Sequence, residues 1–175
     1  MISDLAGALM TRVTIACVVL AFGVVSVVGQ TPKYGVTVTS DRKADFTKIK
    51  SYSWETGSPS FDKDVNQQIV DAIDHELMSL GLEKRPSGPS DVTVSYASLQ
   101  RTDVDVNAKP TTKEATRPQY PVGSLLVVMR EPGTRKELFR GRVDKPIDLD
   151  RDKLHAAIDA VVADIFAKYP TRTQK

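Results

Sequence analysis

Cysteine occurs once and histidine twice in the 175 residues of the chain. So small a supply excludes a disulfide scaffold and a Cys-rich zinc site, and leaves little material for any soft-metal centre. Charge of one sign is scarce too. The 24 basic and 22 acidic side chains give a formal net charge of +2, too near balance for the phosphate-seeking field of a nucleic-acid binder. The chain lacks His-Glu-x-x-His, a Walker loop, a Gly-x-Gly-x-x-Gly turn and a Gly-x-Ser-x-Gly elbow. Metalloprotease, nucleotide, dinucleotide and serine-hydrolase motifs are therefore missing. What is present, 41% hydrophobic and 26% charged, is the composition of a folded protein with room for one domain and a targeting segment.

The one long hydrophobic run is N-terminal. Arg12 precedes Val13 to Gly29, seventeen uncharged residues, and Gln30-Thr31-Pro32 follows. A basic n-region, an apolar h-region and a small-residue exit predict a signal peptide over residues 1–29, cut between Gly29 and Gln30. Met10-Thr11-Arg12 makes a tidier n-region than Met1 to Leu9 with its Asp4, which points to translation from residue 10. The rival reading is a retained membrane anchor, since the run sits at the lower edge of spanning length. Gly29 and Pro32 break a helix where an exit belongs and favour cleavage, so membrane contact is expected only if the segment is retained. Val13 to Ala16 is too short to precede a lipid-modified Cys17. Cleavage leaves 146 residues with the same net charge and no cysteine, a domain that must hold together by burial alone.

Within 30–170 the patterning predicts a single domain, with a polar tail over 171–175. Gly35 to Ser40 and Lys50 to Glu55 alternate as strands, with Phe46 and Ile49 as core plugs in the connection. Val65, Ile69, Val70, Ile73, Leu77 and Leu80 fall at helical spacing, and Gly81 follows as a C-cap. Asp91 to Leu99 alternates as a third strand. Val122 to Arg130 and Lys136 to Val143 flank Glu131-Pro132-Gly133-Thr134, whose central Pro-Gly is the type II turn preference, and so form a hairpin. Leu154, Ile158, Val161, Val162, Ile165, Phe166 and Tyr169 make a second helix, ended by Pro170. Residues 101–121 show no periodicity and stand as a long insert. The expected fold is α+β: a two-layer sandwich in the order ββαβββα, with both helices on one face of a mostly antiparallel five-stranded sheet.

Several short motifs resemble one bacterial family. They are Asp45-Phe46; Lys50-Ser51-Tyr52-Ser53-Trp54; Leu77, Leu80, Gly81 and Leu82; Asp91, Val94 and Tyr96; Gly123-Ser124-Leu125; Phe139-Arg140-Gly141; and Tyr169-Pro170. In that pattern the chain resembles the domain-of-unknown-function family numbered 4136, found in envelope proteins often predicted to be lipoproteins. The resemblance implies an envelope location and a fold, and brings no known activity. This chain departs from it in lacking a lipid-attachment Cys at the end of its signal, in an insert that is not Gly-rich, and in Phe139 where Trp is common.

Candidate chemistry is sparse. Asp103, Asp105, Asn107 and Glu114 match positions one, three, five and twelve of a calcium loop, yet Ala108 occupies the obligatory glycine position and Pro110 follows. Asp148, Asp150 and Asp152 begin similarly, but Lys153 takes the glycine position; these acids suit the start of the last helix. His75 has Asp71 on its helical face, and His155 has Asp152 and Asp159 on its own. Arg130, Arg135, Lys136, Arg140 and Arg142 gather on the hairpin, read as edge-strand protection or a surface for anions. Tyr52 and Trp54 share a strand face as core aromatics. No catalytic, cofactor-binding or metal-binding residue is assigned, and no cofactor. The chain is expected to be an exported, non-enzymatic binding or structural module of the bacterial envelope or periplasm, with an unidentified envelope protein or ligand as partner. The alternative is an envelope hydrolase using His155 or His75 with neighbouring acids.

Overall fold

The computed structural model describes residues 34–109 and 117–172. The signal segment, with Cys17 and the Gly29/Gln30 junction, lies outside the described residues, as do Glu114 and the last three positions of the tail. The elements run β1 (Gly35–Ser40), a 3-10 turn (Phe46–Lys48), β2 (Ser51–Trp54), α1 (Lys63–Ser79) and β3 (Glu83–Lys84). Then come β4 (Val92–Val104), β5 (Gln119–Arg130), β6 (Glu137–Pro146) and α2 (Arg151–Phe166).

The α+β class holds, with one sheet and two helices, but the sheet has six strands and is mixed. Its order is β1-β6-β5-β4-β2-β3. The β1/β6, β6/β5 and β5/β4 pairs are antiparallel, whereas β2 pairs parallel with both β3 and β4. The physical reason lies in α1. A helix between β2 and β4 forms the crossover that returns the chain to the same end of the sheet, and such a return makes parallel neighbours. The extra strand, β3, is two residues long and carries no alternation to read.

Local chemistry sets the helix ends. Asp62 caps α1 by accepting from the Asp64 and Val65 amides at 2.9 and 3.3 Å. At the other end Gly81 adopts φ +84°. Its amide reaches Met78 O at 2.9 Å while that of Leu82 reaches Leu77 O at 3.1 Å, the paired closure that a left-handed residue permits. Asp150 caps α2 through the Lys153 amide at 3.2 Å, in keeping with the acids expected there. In the β5/β6 connection Gly133 takes φ +82°, the sign required at the third residue of a type II turn.

One rung of the sheet shows where the helices lie. Tyr96, Val127 and Gly141 stand side by side on β4, β5 and β6 and so share a face. The Tyr96 hydroxyl donates to Asn66 of α1, and a Cβ on Gly141 would meet Ile165 Cγ2 of α2 at 2.2 Å. Both helices therefore cover the same face. Between the layers Tyr52, Val94, Val127 and Met129 pack with Ile73, Leu77, Ile165 and Phe166 in one buried cluster, each large apolar side chain contributing about 1.5–3 kcal/mol. Phe139 stacks on Phe166 at 5.7 Å between centroids, and Tyr169 meets Phe46 edge-on at 5.2 Å.

Two further expectations change. The insert is shorter than 101–121, because β4 and β5 stay paired out to Val104 and Gln119. The hairpin basics do not guard an edge, because β6 is covered by β1. They are paired instead: Arg135 with Glu55 at 2.8 Å, Lys136 with Asp41 at 2.5 Å, Arg140 with Glu137 at 2.5 Å and Arg142 with Asp144 at 2.8 Å. Arg130 reaches Ser95 Oγ at 3.0 Å. With their charges answered, these groups offer an anionic surface little net attraction.

Candidate functional site

An apolar cleft of about 490 Å³ opens where the N-terminal turns of α1 and α2 meet the far ends of β4, β5 and β6. Val65 and Ile69 form one wall, and Leu154, Ile158 and Val161 the other. Leu125 and Val143 supply the floor, both buried. The space exists because small residues occupy positions where the rest of the layer has large ones. Gly123 lies on the helix side of β5, Ser98 on β4, and Ala157 on the inner stripe of α2. Interiors pack to near-crystalline density, so three small residues bordering one volume leave room that the backbone does not close. Ile147 lies against Gly123, where a Cβ would come within 3.0 Å of its Cγ2, and completes the wall beyond β6.

The rim is apolar and in water. Phe61 is fully exposed, and Leu149 is more than half exposed. Isolated exposed hydrophobes need no explanation, but two at the mouth of one apolar cleft extend its apolar surface into water, as binding sites do. Two charged side chains stand at the mouth, Asp62 and Lys145. Asp62 is committed to capping α1. The Val65 and Asp64 amides, with Arg151 and His155 nearby, hold its carboxyl below the ordinary range, so it stays ionised. Among the described residues Lys145 has no ion-pair partner.

The sequence offered no sign of this cleft, since its walls come from five separate stretches. The only local hint is Phe61, an aromatic set among Ser58-Pro59-Ser60 and Asp62 in a turn segment with no periodic role.

The predicted histidines do not converge. His155 Nε2 lies 2.9 Å from Asp64 Oδ2, without the alignment of a hydrogen bond. His75 is exposed on α1 and lines a shallow acidic groove with Asp71, Glu76 and Asp159. Asp64 and His75 stand eleven positions apart on α1, roughly 16 Å along the axis. Among the described residues no serine lines the groove of His75, and no histidine lines the apolar cleft. Among the described residues no set of His, Cys, Asp and Glu is placed to hold a metal ion. Asp105 of the calcium-loop pattern closes a turn on its own chain by accepting from the Asn107 and Ala108 amides.

The polar networks are structural. Asp74, buried on α1, accepts from the Tyr52 hydroxyl at 2.6 Å, from Trp54 Nε1 at 3.0 Å and from Lys84 Nζ at 2.6 Å. Burial and the neighbouring carboxylate push the Tyr52 hydroxyl well above its ordinary pKa. On the face opposite the helices Arg101 joins Asp103, Ser124 and Asp144 at 3.0, 2.8 and 2.8 Å.

These features define a two-layer α+β protein with a helix-covered mixed sheet and an apolar cleft at one end. The family model described as "Domain of unknown function (DUF4136)" matches residues 36–171, and the chain belongs to that family. Its motifs are now explained as core chemistry. Tyr52 and Trp54 are the donors to Asp74, and Gly141 admits Ile165. No curated protein matches the chain. Among solved structures, a PDZ domain protein from Parabacteroides distasonis is similar at a TM-score of 0.54 and 15% identity. That likeness covers 82% of this chain and only 36% of the other, so the similarity spans about a third of that protein. PelC from Paraburkholderia phytofirmans, solved as a dodecamer, is similar at a TM-score of 0.51 and 13% identity, over 77% of this chain and 96% of PelC. At these identities the likeness is one of fold.

Proposed function

We propose that the protein is an exported, non-enzymatic binding module of the bacterial envelope, and that the cleft between the helix N-termini is where it binds. The observation that carries this reading is the cleft itself: apolar walls from both helices, an open mouth, and Phe61 and Leu149 held in water around it. An exposed apolar surface of this kind has a solvation cost in the free protein that a ligand relieves. The scattered histidines support binding over hydrolysis, since a general base needs its nucleophile within hydrogen-bond reach. Export rests on the run after Arg12 and its small-residue exit.

The test uses phenylnaphthylamine, a neutral dye that fluoresces in apolar surroundings. The purified protein is expected to bind it saturably, and Ala157→Trp, which fills the cleft from α2, is expected to abolish the signal while circular dichroism stays native. Undiminished dye fluorescence in a folded Ala157→Trp protein would refute the site. Sequencing the N-terminus of the protein recovered from cells checks export. Gln30 is the expected first residue, and an intact Met1 or Met10 in the cytosolic fraction would end that part of the reading.

A further inference from the structure

We infer that the ligand of this cleft is a single acyl chain with an anionic head, held by Lys145 at the mouth. The inference rests on the binding reading above and specifies its ligand class. Lys145 pairs in register with Gly123, on the side of the sheet that faces the helices, and lines the cleft. It is exposed and, among the described residues, has no acid partner, whereas the basic groups of the hairpin end on carboxylates. A lone ammonium at the entrance of an apolar slot fits an anionic head and an apolar tail. The other charge at the mouth, Asp62, already accepts two backbone amides of α1 and has Arg151 close by. It is thus a poor counter-ion for a cationic head. The remaining polar side chains in the lining, Ser60, Ser98 and Gln100, are neutral and accommodate either sign.

Shape limits the tail. The lining residues of α2 run from Leu154 to Val161, about 10 Å along the helix. Ile69 and Val161, both buried, stand at the deep end, so the slot takes one chain of modest length. The head stays in water at the strand end.

Three twelve-carbon probes of different head charge, measured by calorimetry on the purified protein, test the assignment: dodecanoate, dodecanol and dodecyltrimethylammonium. Dodecanoate is expected to bind most tightly and the ammonium least. Lys145→Met should weaken dodecanoate about fivefold to tenfold while leaving dodecanol unchanged, and Lys145→Glu should reverse the order of the two charged probes. Equal binding of dodecanoate by the native and Lys145→Met proteins would overturn the role of Lys145 while leaving the cleft intact. Failure of all three probes, dodecanol included, would remove the cleft as a site and the binding reading with it. Free fatty acid and lipid acyl chain are separated by vesicles. Sedimentation with phosphatidylglycerol but not phosphatidylcholine vesicles, lost in Lys145→Glu, assigns the chain to a lipid. Dodecanoate binding without vesicle binding assigns it to a free acid.

Discussion

The Tyr52 hydroxyl donates to Asp74 Oδ1 at 2.6 Å, tying the strand most central to the family motif to the buried side of α1. Trp54 Nε1 and Lys84 Nζ complete the set, so one carboxylate joins β2, α1 and β3. Removing it strands two ring donors and an ammonium. Asp74→Ala is therefore expected to cost about 3 kcal/mol, and Tyr52→Phe about 1 kcal/mol because Trp54 and Lys84 remain on Asp74. Urea denaturation measures both. A loss below ~1 kcal/mol for Asp74→Ala would show that water replaces the lost partner without cost.

Gly141 is required by the approach of Ile165, because a Cβ there would lie 2.2 Å from its Cγ2. Gly141→Ala is expected to lift α2 from the sheet at a cost of about 1–3 kcal/mol. Ile165→Ala removes the opposing methyl. The double variant should then lose about 0.5 kcal/mol or more less than the two single losses combined. Additive losses would mean that the two side chains do not compete for space.

Acid should weaken the fold through Asp144. The Arg142 guanidinium, with help from Ser124 and Arg101, holds its carboxyl well below the usual carboxylate range. A group depressed in the folded state stabilises above its unfolded pKa, near ~3.9, and loses that contribution as pH falls through the folded value. The urea midpoint is expected to drop steadily below about pH 4. Asp144→Asn should begin about 1–2 kcal/mol lower at neutral pH and show a shallower acid decline. A variant with an unaltered acid profile would remove Asp144 as a source of that dependence.

Phe61 should matter to binding and not to folding. It is fully exposed, so Phe61→Ser is expected to shift stability by no more than ~0.5 kcal/mol. The same change removes an aromatic from the rim and should weaken phenylnaphthylamine binding severalfold. Weakened binding with a native melting curve is the expected pair of results. Unaltered binding would confine the ligand to the inner walls.

Much of the fold is visible in the sequence because its elements are periodic. α1, α2 and the alternating parts of β1, β2, β4, β5 and β6 follow from spacing alone, and Gly81 marks the end of α1; α2 closes at Phe166, before the expected Tyr169-Pro170 end, and Tyr169 packs on Phe139 and Phe166 from beyond the helix. The parallel β2/β4 pair is not visible, since pairing between strands separated by a helix leaves no trace in either strand. The outer halves of β4 and β5 escape for another reason. Arg101 and Asp103 project to the face opposite the helices, where Arg101 pairs with Asp103 and Asp144 and donates to Ser124, so polar side chains stand where the expected alternation would put apolar ones. Asp74 did leave a sign, a carboxylate falling between Ile73 and Leu77 on the apolar stripe of α1. The cleft left almost none, because an unfilled volume arises from what Gly123, Ser98 and Ala157 omit.

β1 sits at one border of the sheet with β6 as its neighbour, Gly35 opposite Asp144. The first strand of the domain thus waits for the last strand before it has anywhere to go. A growing or threading polypeptide shorter than about residue 144 cannot complete the sheet at that border, and loop closure over such a distance slows assembly. The architecture thereby postpones its own completion until nearly the whole chain has been delivered.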